Sequence, residues 1–159
     1  MNFHKSFVNF SQNRDDGQKS PTRSFGVTGI ISDRSYTLSE APRILFVDDH
    51  EDTRYLITHL LGGRGYEVEA APSVEEGLQL ARAGGFDLYL LDSRFADGSG
   101  TELCEGIRAF DKTTPIVFYS GDHPSRLKKA LDCDAQGFVL KPGFDALPRE
   151  LERALATSV

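Results

Sequence analysis

Five polar side chains in this chain, each at the end of a short apolar run, have the chemistry to transfer a phosphoryl group. Asp48 and Asp49 end "RILFVDDH", apart from the histidine that follows; Asp92 ends "DLYLLD", Ser120 ends "PIVFYS", and Lys141 follows "GFVL". Three carboxylates gathered in one place repel one another and cannot all stay ionised without a cation. A small, hard divalent ion resolves the conflict. Mg2+, or Mn2+ in its place, takes oxygen ligands and keeps several waters, so a few protein oxygens suffice. Such an ion favours oxyanionic groups and clamps an incoming phosphoryl group. Lys141 offers a charged donor to a phosphate oxygen and Ser120 a neutral one. Asp92 is the natural nucleophile, because carboxylates form aspartyl-phosphate intermediates. The set suits in-line phosphoryl transfer.

These residues converge only if the runs before them are parallel strands. Ile44–Val47 is a continuous apolar run, as expected of a strand buried on both faces. Leu56, Ile57, Leu60 and Leu61 then repeat at helical spacing until "GGRG" stops the helix. "YEVEAA" is the second strand. Ser73 and Glu76 form a capping box for a helix carrying Val74, Leu78 and Ala81. After the third strand, "DLYLLD", a glycine-rich loop leads to a helix around Leu103 and Ile107. "PIVFYS" is the fourth strand. Pro124 opens the next helix, with Leu127, Ala130 and Leu131 behind it. "GFVL" is the fifth strand, and Leu147, Leu151, Ala154 and Leu155 mark the last helix. Five strand–helix units imply a parallel α/β sheet with helices on both faces. Its ligands sit at the carboxyl ends of the strands, where the five polar residues lie.

Charge divides the 159-residue chain. Residues 1–40 carry five Lys/Arg and four Asp/Glu, a net of +1, whereas residues 41–159 carry thirteen and twenty, a net of −7. The acidic domain lacks the basic surface that nucleic-acid binding requires, so no direct nucleic-acid partner is expected. Residues 1–40 are polar and turn-rich through "SQNRDDGQKSPTRS" and read as a largely disordered extension; residues 41–159 form the domain. Phe3, Phe7 and Phe10, at near-helical spacing, are the one feature of the extension that suits docking. No apolar run reaches the ~18 residues of a membrane span, and "MNFHKSFVNF" lacks a secretory apolar core. Cytoplasmic residence is the default. Cys104 and Cys133 lack metal-ligand spacing and read as two reduced, partly buried thiols.

The segments "ILFVDDH", "LYLLDSRFADGSG", "VFYSG" and "GFVLKP", in this order and spacing, resemble the receiver domain of two-component response regulators over residues 43–157. The resemblance implies a flavodoxin-like, doubly wound sheet of strand order 2-1-3-4-5. It implies that Asp92 accepts a phosphoryl group from a histidine kinase or a histidine phosphotransfer protein. Asp49 would then touch the metal directly, Asp48 would act mainly through water, and Asp92 and the backbone carbonyl of Arg94 would complete the protein ligands. Ser120 and Lys141 would bind the phosphoryl oxygens, Phe138 would be the aromatic switch, and Lys141–Pro142 a cis peptide. Such a domain is not a conventional enzyme: it catalyses its own Mg2+-dependent phosphorylation and slow autodephosphorylation.

The sequence departs from the family pattern in four respects, the last a pair of residues. Ala96 replaces a common proline and is expected to loosen its loop; Asp134 replaces a glycine; Gly143 stands where a bulky residue is common. Arg94 and Asp122 carry opposite charges at positions flanking the phosphoryl group, where they can pair and shield it from water. His50 reads as a solvent-facing loop residue. The chain as a whole is expected to be a stand-alone receiver with an N-terminal extension, passing its signal to another protein through the fourth helix, fifth strand and fifth helix. The competing readings are a receiver fold used as a scaffold without phosphorylation, and a phosphate-ester hydrolase. The first would be expected to lose the acids or the lysine; the second commonly needs acids separated by one residue, which "DDHEDT" lacks.

Overall fold

The protein is described by a computed structural model covering residues 40–123 and 132–158. The extension (apart from Glu40), with Phe3, Phe7 and Phe10, and the helix expected at Pro124, Leu127, Ala130 and Leu131 lie outside the described residues. The first described strand, β1 (Arg43–Val47), pairs in parallel with both β2 (Glu67–Ala71) and β3 (Leu88–Leu91). β6 (Ile116–Ser120) lies beside β3, and β7 (Gly137–Leu140) beside β6. The order is β2-β1-β3-β6-β7, the doubly wound arrangement expected. Helices α1 (Glu51–Gly62), α2 (Val74–Ala83), α3 (Gly100–Arg108) and α4 (Ala146–Thr157) complete the regular elements of the described core.

The strand alternation divides the core in two. Leu45, Val47, Tyr89, Leu91, Ile116 and Phe118 face one side, where Ala81 of α2 and Leu103 and Ile107 of α3 cover them. Ile44, Phe46, Leu88, Leu90, Val117 and Tyr119 face the other, against Ile57 and Leu61 of α1 and Leu147, Leu151 and Ala154 of α4. Apart from Arg43 and Ser120 at their ends, the three central strands are apolar because both faces are buried. Each such side chain contributes about 1.5–3 kcal/mol on leaving water. Leu56, expected on the inner stripe of α1, is instead 47% exposed, so the helix turns only Ile57, Leu60 and Leu61 inward.

The loop after Asp92 is a short hairpin. β4 (Arg94–Phe95) pairs antiparallel with β5 (Gly98–Ser99), leaving Ala96 and Asp97 as its turn. Both Asp97 carboxylate oxygens accept backbone N–H groups of α2, from Val74 and Glu75, each at 3.1 Å. These bonds, Val74's first, hold the Asp97 carboxyl below its usual range. The hairpin is thus tied to its neighbour, and the loosening expected from Ala96 is offset. Ser73 caps α2 by accepting from Glu76 N at 3.1 Å. The complete reciprocal box belongs to Ser99 and Glu102 at the start of α3. Asp134 adopts left-handed geometry, φ 59°, as its place in the pattern required.

At the amino end of the sheet, Arg108 is 7% exposed and gathers the surrounding backbone. Its guanidinium donates to the carbonyls of Asp111, Thr114 and Asp134 and to Gln136 Oε1, at 2.9–3.2 Å. Gln136 Oε1 also accepts from Ile116 N at 2.7 Å, so the same knot registers β6. The cysteines correct an expectation. Cys104 of α3 and Cys133, in a turn before β7, form a disulfide, with Cα atoms 6.1 Å apart, rather than standing as two reduced thiols. Their 29-residue separation gives no local sign of pairing; the crossover back to β7 brings Cys133 into the same buried cluster as Cys104. Among the described residues no helix is long and apolar enough to cross a membrane.

Replacing Arg108 by Met should cost about 2–4 kcal/mol, because four charge-assisted bonds go. Urea unfolding of the two forms measures it, and a difference below 1 kcal/mol would mean that the knot is incidental.

Candidate functional site

Strand register brings the expected residues to one end of the sheet. Val47 pairs with Leu91, so Asp48 and Asp92 emerge side by side, and Asp92 N donates to Val47 O at 2.9 Å. Ser120 pairs with Leu140, and Lys141 N continues that ladder to Ser120 O at 2.9 Å. Asp48 is fully buried, and Asp92 and Ser120 are nearly so. Lys141 Nζ reaches Asp48 Oδ2 at 2.5 Å and Asp92 Oδ2 at 3.0 Å, bridging the two carboxylates. Without that ammonium, two sheltered anions would face each other at a cost of several kcal/mol.

The remaining oxygen of Asp48 is also engaged, accepting His50 N–H at 2.9 Å. Asp49 is more open and has His50 Nδ1 at 2.7 Å from its Oδ1. His50 is exposed, as expected, but it leans on this acid rather than pointing away. Arg54, not singled out by the sequence, donates to the Asp48 carbonyl at 2.7 Å and fixes the turn into α1. Asp48, Asp49, His50 and Asp92 each offer a ligand atom, all within 4.8 Å of one another. The three acids against one ammonium leave two uncompensated negative charges, the charge of one divalent cation. Asp49, His50, Asp92, Arg94, Ser120 and Lys141 line one cleft of about 250 Å³.

Close backbone approach shapes the floor. A Cβ on Gly100 would meet the Asp92 carbonyl and the Phe118 ring at 2.8 Å, so only glycine lets α3 start directly behind Asp92. Lys141–Pro142 is cis, as expected. Gly143 follows at φ 32°, where a side chain would press on Val139, and this explains the absence of a bulky residue there. Tyr119 lies beneath, donating to Pro142 O at 2.7 Å, with Lys141 Nζ 5.4 Å from its ring centre. Burial, then the nearby charges of Asp48 and Asp92, push its phenol up to about 12.

Arg94 and Asp122 meet at the rim, Nη2 to Oδ1 at 2.7 Å, forming the pair their charges suggested. Phe138 does not line the cleft. It stands opposite Phe118 on β7 and packs, half-buried, against the α2–α3 side of the core. Sequence reasoning overlooked Ser93. Its hydroxyl contacts that of Ser120 and donates to Asp122 Oδ2 at 2.9 Å, joining two loops that only the fold brings together.

Comparison with known proteins agrees with this geometry. The family model described as "Response regulator receiver domain" matches residues 44–152. The nisin biosynthesis regulatory protein NisR of Lactococcus lactis subsp. lactis is 34% identical over 101 residues, covering 63% of this chain and 44% of that protein. The transcriptional regulatory protein ZraR of Salmonella typhimurium is 35% identical over 115 residues, covering 71% of this chain and 26% of that protein. The chain therefore spans less than half the length of these relatives. Among solved structures, the chemotaxis protein CheY4 of Vibrio cholerae superposes with a TM-score of 0.68 at 29% identity, over 72% of this chain and 98% of that one. TrrA of Thermotoga maritima, solved in complex with Mg2+ and beryllofluoride, gives 0.67 at 31% identity, over 71% of this chain and 98% of that one.

The raised Tyr119 phenol makes stability depend on alkaline pH. An unfolded tyrosine ionises near pH 10, so this contribution is fully present below pH 10 and is lost as pH rises through about 12. Urea unfolding between these values should show the decline, and Tyr119→Phe should flatten part of it while losing about 1 kcal/mol at pH 7 from the missing bond to Pro142. An equally steep decline in the variant would assign the effect to other groups.

Proposed function

Because the chain belongs to the response regulator receiver domain family of two-component signalling, we propose that it is a phosphorylation-controlled switch with Asp92 as the phosphoacceptor. The observation that supports this most is the Lys141 ammonium held between the buried Asp48 and Asp92, with the Ser120 hydroxyl in the same cleft. A carboxylate so placed is oriented and sheltered, yet reachable from solvent.

Asp49, Asp92 and the Arg94 carbonyl are the direct metal ligands in this reading, with Asp48 acting through water. Its buried oxygens are already taken by Lys141 and His50 N–H, which fits that lesser part. Mg2+, or Mn2+, when bound supplies positive charge against the acids and the incoming phosphoryl oxygens. An Asp92 carboxylate oxygen bonds to phosphorus as the phosphorus–nitrogen bond of a donor phosphohistidine breaks, and the ring nitrogen keeps the bonding pair. Lys141, already 3.0 Å from Asp92, turns onto a phosphoryl oxygen, and Ser120 donates to another. The new group adds about −1.5 to −2 charge at pH 7. Phe138 then repacks on its strand, and the surface around it changes. Arg94 and Asp122, paired at the rim, slow the approach of water to the acyl phosphate.

The donor is a histidine kinase or a phosphotransfer protein. Tyr55 and Leu56, 68% and 47% exposed on α1 directly after the acid pair, offer it an apolar footing. The receiving partner binds the output face, represented among the described residues by β7 and α4, where Leu140 and Phe144 are exposed. We place the protein in the cytoplasm, with no direct nucleic-acid contact by this acidic domain.

Incubation with Mg2+ and a small acyl phosphate, followed by intact mass measurement, tests the reading. One phosphoryl adduct should form on the wild type and none on Asp92→Ala. Adduct formation on both, or on neither, would favour a scaffold that does not use this site.

A further inference from the structure

The hydroxyls of Ser93 and Ser120 and the carboxylate of Asp122 form a closed ring in which one assignment of protons satisfies every contact. Asp122 Oδ1 accepts from Arg94 Nη2 at 2.7 Å, which leaves its other oxygen as the acceptor facing Ser93. Ser93 therefore spends its single proton on Asp122 Oδ2, at 2.9 Å. The contact between the two serine oxygens must then be made by the Ser120 proton, donated to Ser93. The backbone N–H of Asp122 closes the ring by donating to Ser120 Oγ at 3.1 Å. Ser120 is almost wholly buried.

This arrangement withholds the one proton that phosphoryl binding needs. Resting on the reading that Asp92 accepts a phosphoryl group, we propose that Ser93 is a positioning residue that latches Ser120 and Asp122 in the resting state and so sets the threshold for switching. Ser120 can donate to a phosphoryl oxygen only after its bond to Ser93 is broken. Ser93 directly follows Asp92, and its own N–H donates to Asp92 Oδ1 at 2.7 Å, so the latch and the phosphoacceptor share one turn of backbone. Arg94, the next residue, tightens the same ring from outside by holding the second Asp122 oxygen. Three consecutive residues, Asp92, Ser93 and Arg94, thus carry the reacting group, the latch and its clasp.

Removing the Ser93 hydroxyl frees the Ser120 proton at the cost of about one hydrogen bond in the resting state. The affinity for a phosphoryl mimic should rise by roughly three- to tenfold, the worth of one such bond. The probe is beryllofluoride with Mg2+, followed by fluorine NMR titration of wild type, Ser93→Ala, Ser93→Thr and Asp92→Asn. Ser93→Ala should bind more tightly and Ser93→Thr, which keeps the hydroxyl, should match wild type. Exchange of the Asp122 amide proton, measured without the mimic, should be faster in Ser93→Ala alone. Unchanged or weaker binding by Ser93→Ala, or identical behaviour of the Ala and Thr variants, would overturn the latch. If wild type binds no better than Asp92→Asn, the phosphoacceptor reading itself fails, and the latch falls with it.

Discussion

One ammonium group organises this protein. Lys141 Nζ stands between the buried carboxylates of Asp48 and Asp92 and is the positive charge that offsets them, while the His50 and Ser93 N–H groups serve their other oxygens. A buried ion pair of this kind is poor evidence of net stability, because desolvation consumes most of the attraction. Its value is positional. It holds the Asp92 carboxylate in a fixed orientation beside Asp48. It also leaves the three acids short of positive charge by two, which one divalent cation would offset.

The rest of the fold delivers Lys141 to that point. β7 is an edge strand, so the lysine's position depends on pairing with β6 and on the turn that follows. Tyr119 holds the turn by its bond to Pro142, and Gly143 admits a backbone course that a side chain would obstruct. On the other side of the cleft, Gly100 brings α3 against the Asp92 carbonyl, and the β4–β5 hairpin, tied by Asp97 to α2, carries Arg94 to the rim. Arg108 does the corresponding work at the far end of the sheet, registering β6 through Gln136.

Much of this was legible in the sequence because it depends on local runs. Ile44–Val47, Leu88–Leu91 and Ile116–Tyr119 announce strands buried on both faces, and the polar residue ending each follows from the same reading. The strand order came from the family resemblance, since a parallel sheet's periodicity does not encode its order. The features that escaped are contacts between distant loops. Cys104 and Cys133 meet across 29 residues, Ser93 and Ser120 across 27, and Asp97 caps a helix that begins 23 residues earlier. None leaves a periodic trace. Leu56 shows the converse limit, since an apolar residue at helical spacing still lies on the outer face of α1.

If Asp92 is the phosphoacceptor, Lys141 and Ser120 must exchange their resting partners for the group it carries. A crystal structure of the protein with Mg2+ and beryllofluoride would show this exchange. Beryllium should be bonded to Asp92, Lys141 Nζ turned from that carboxylate onto a fluoride, and the Ser120 hydroxyl moved from Ser93 to another fluoride. A complex in which Lys141 still bridges Asp48 and Asp92, and Ser120 still contacts Ser93, would contradict it.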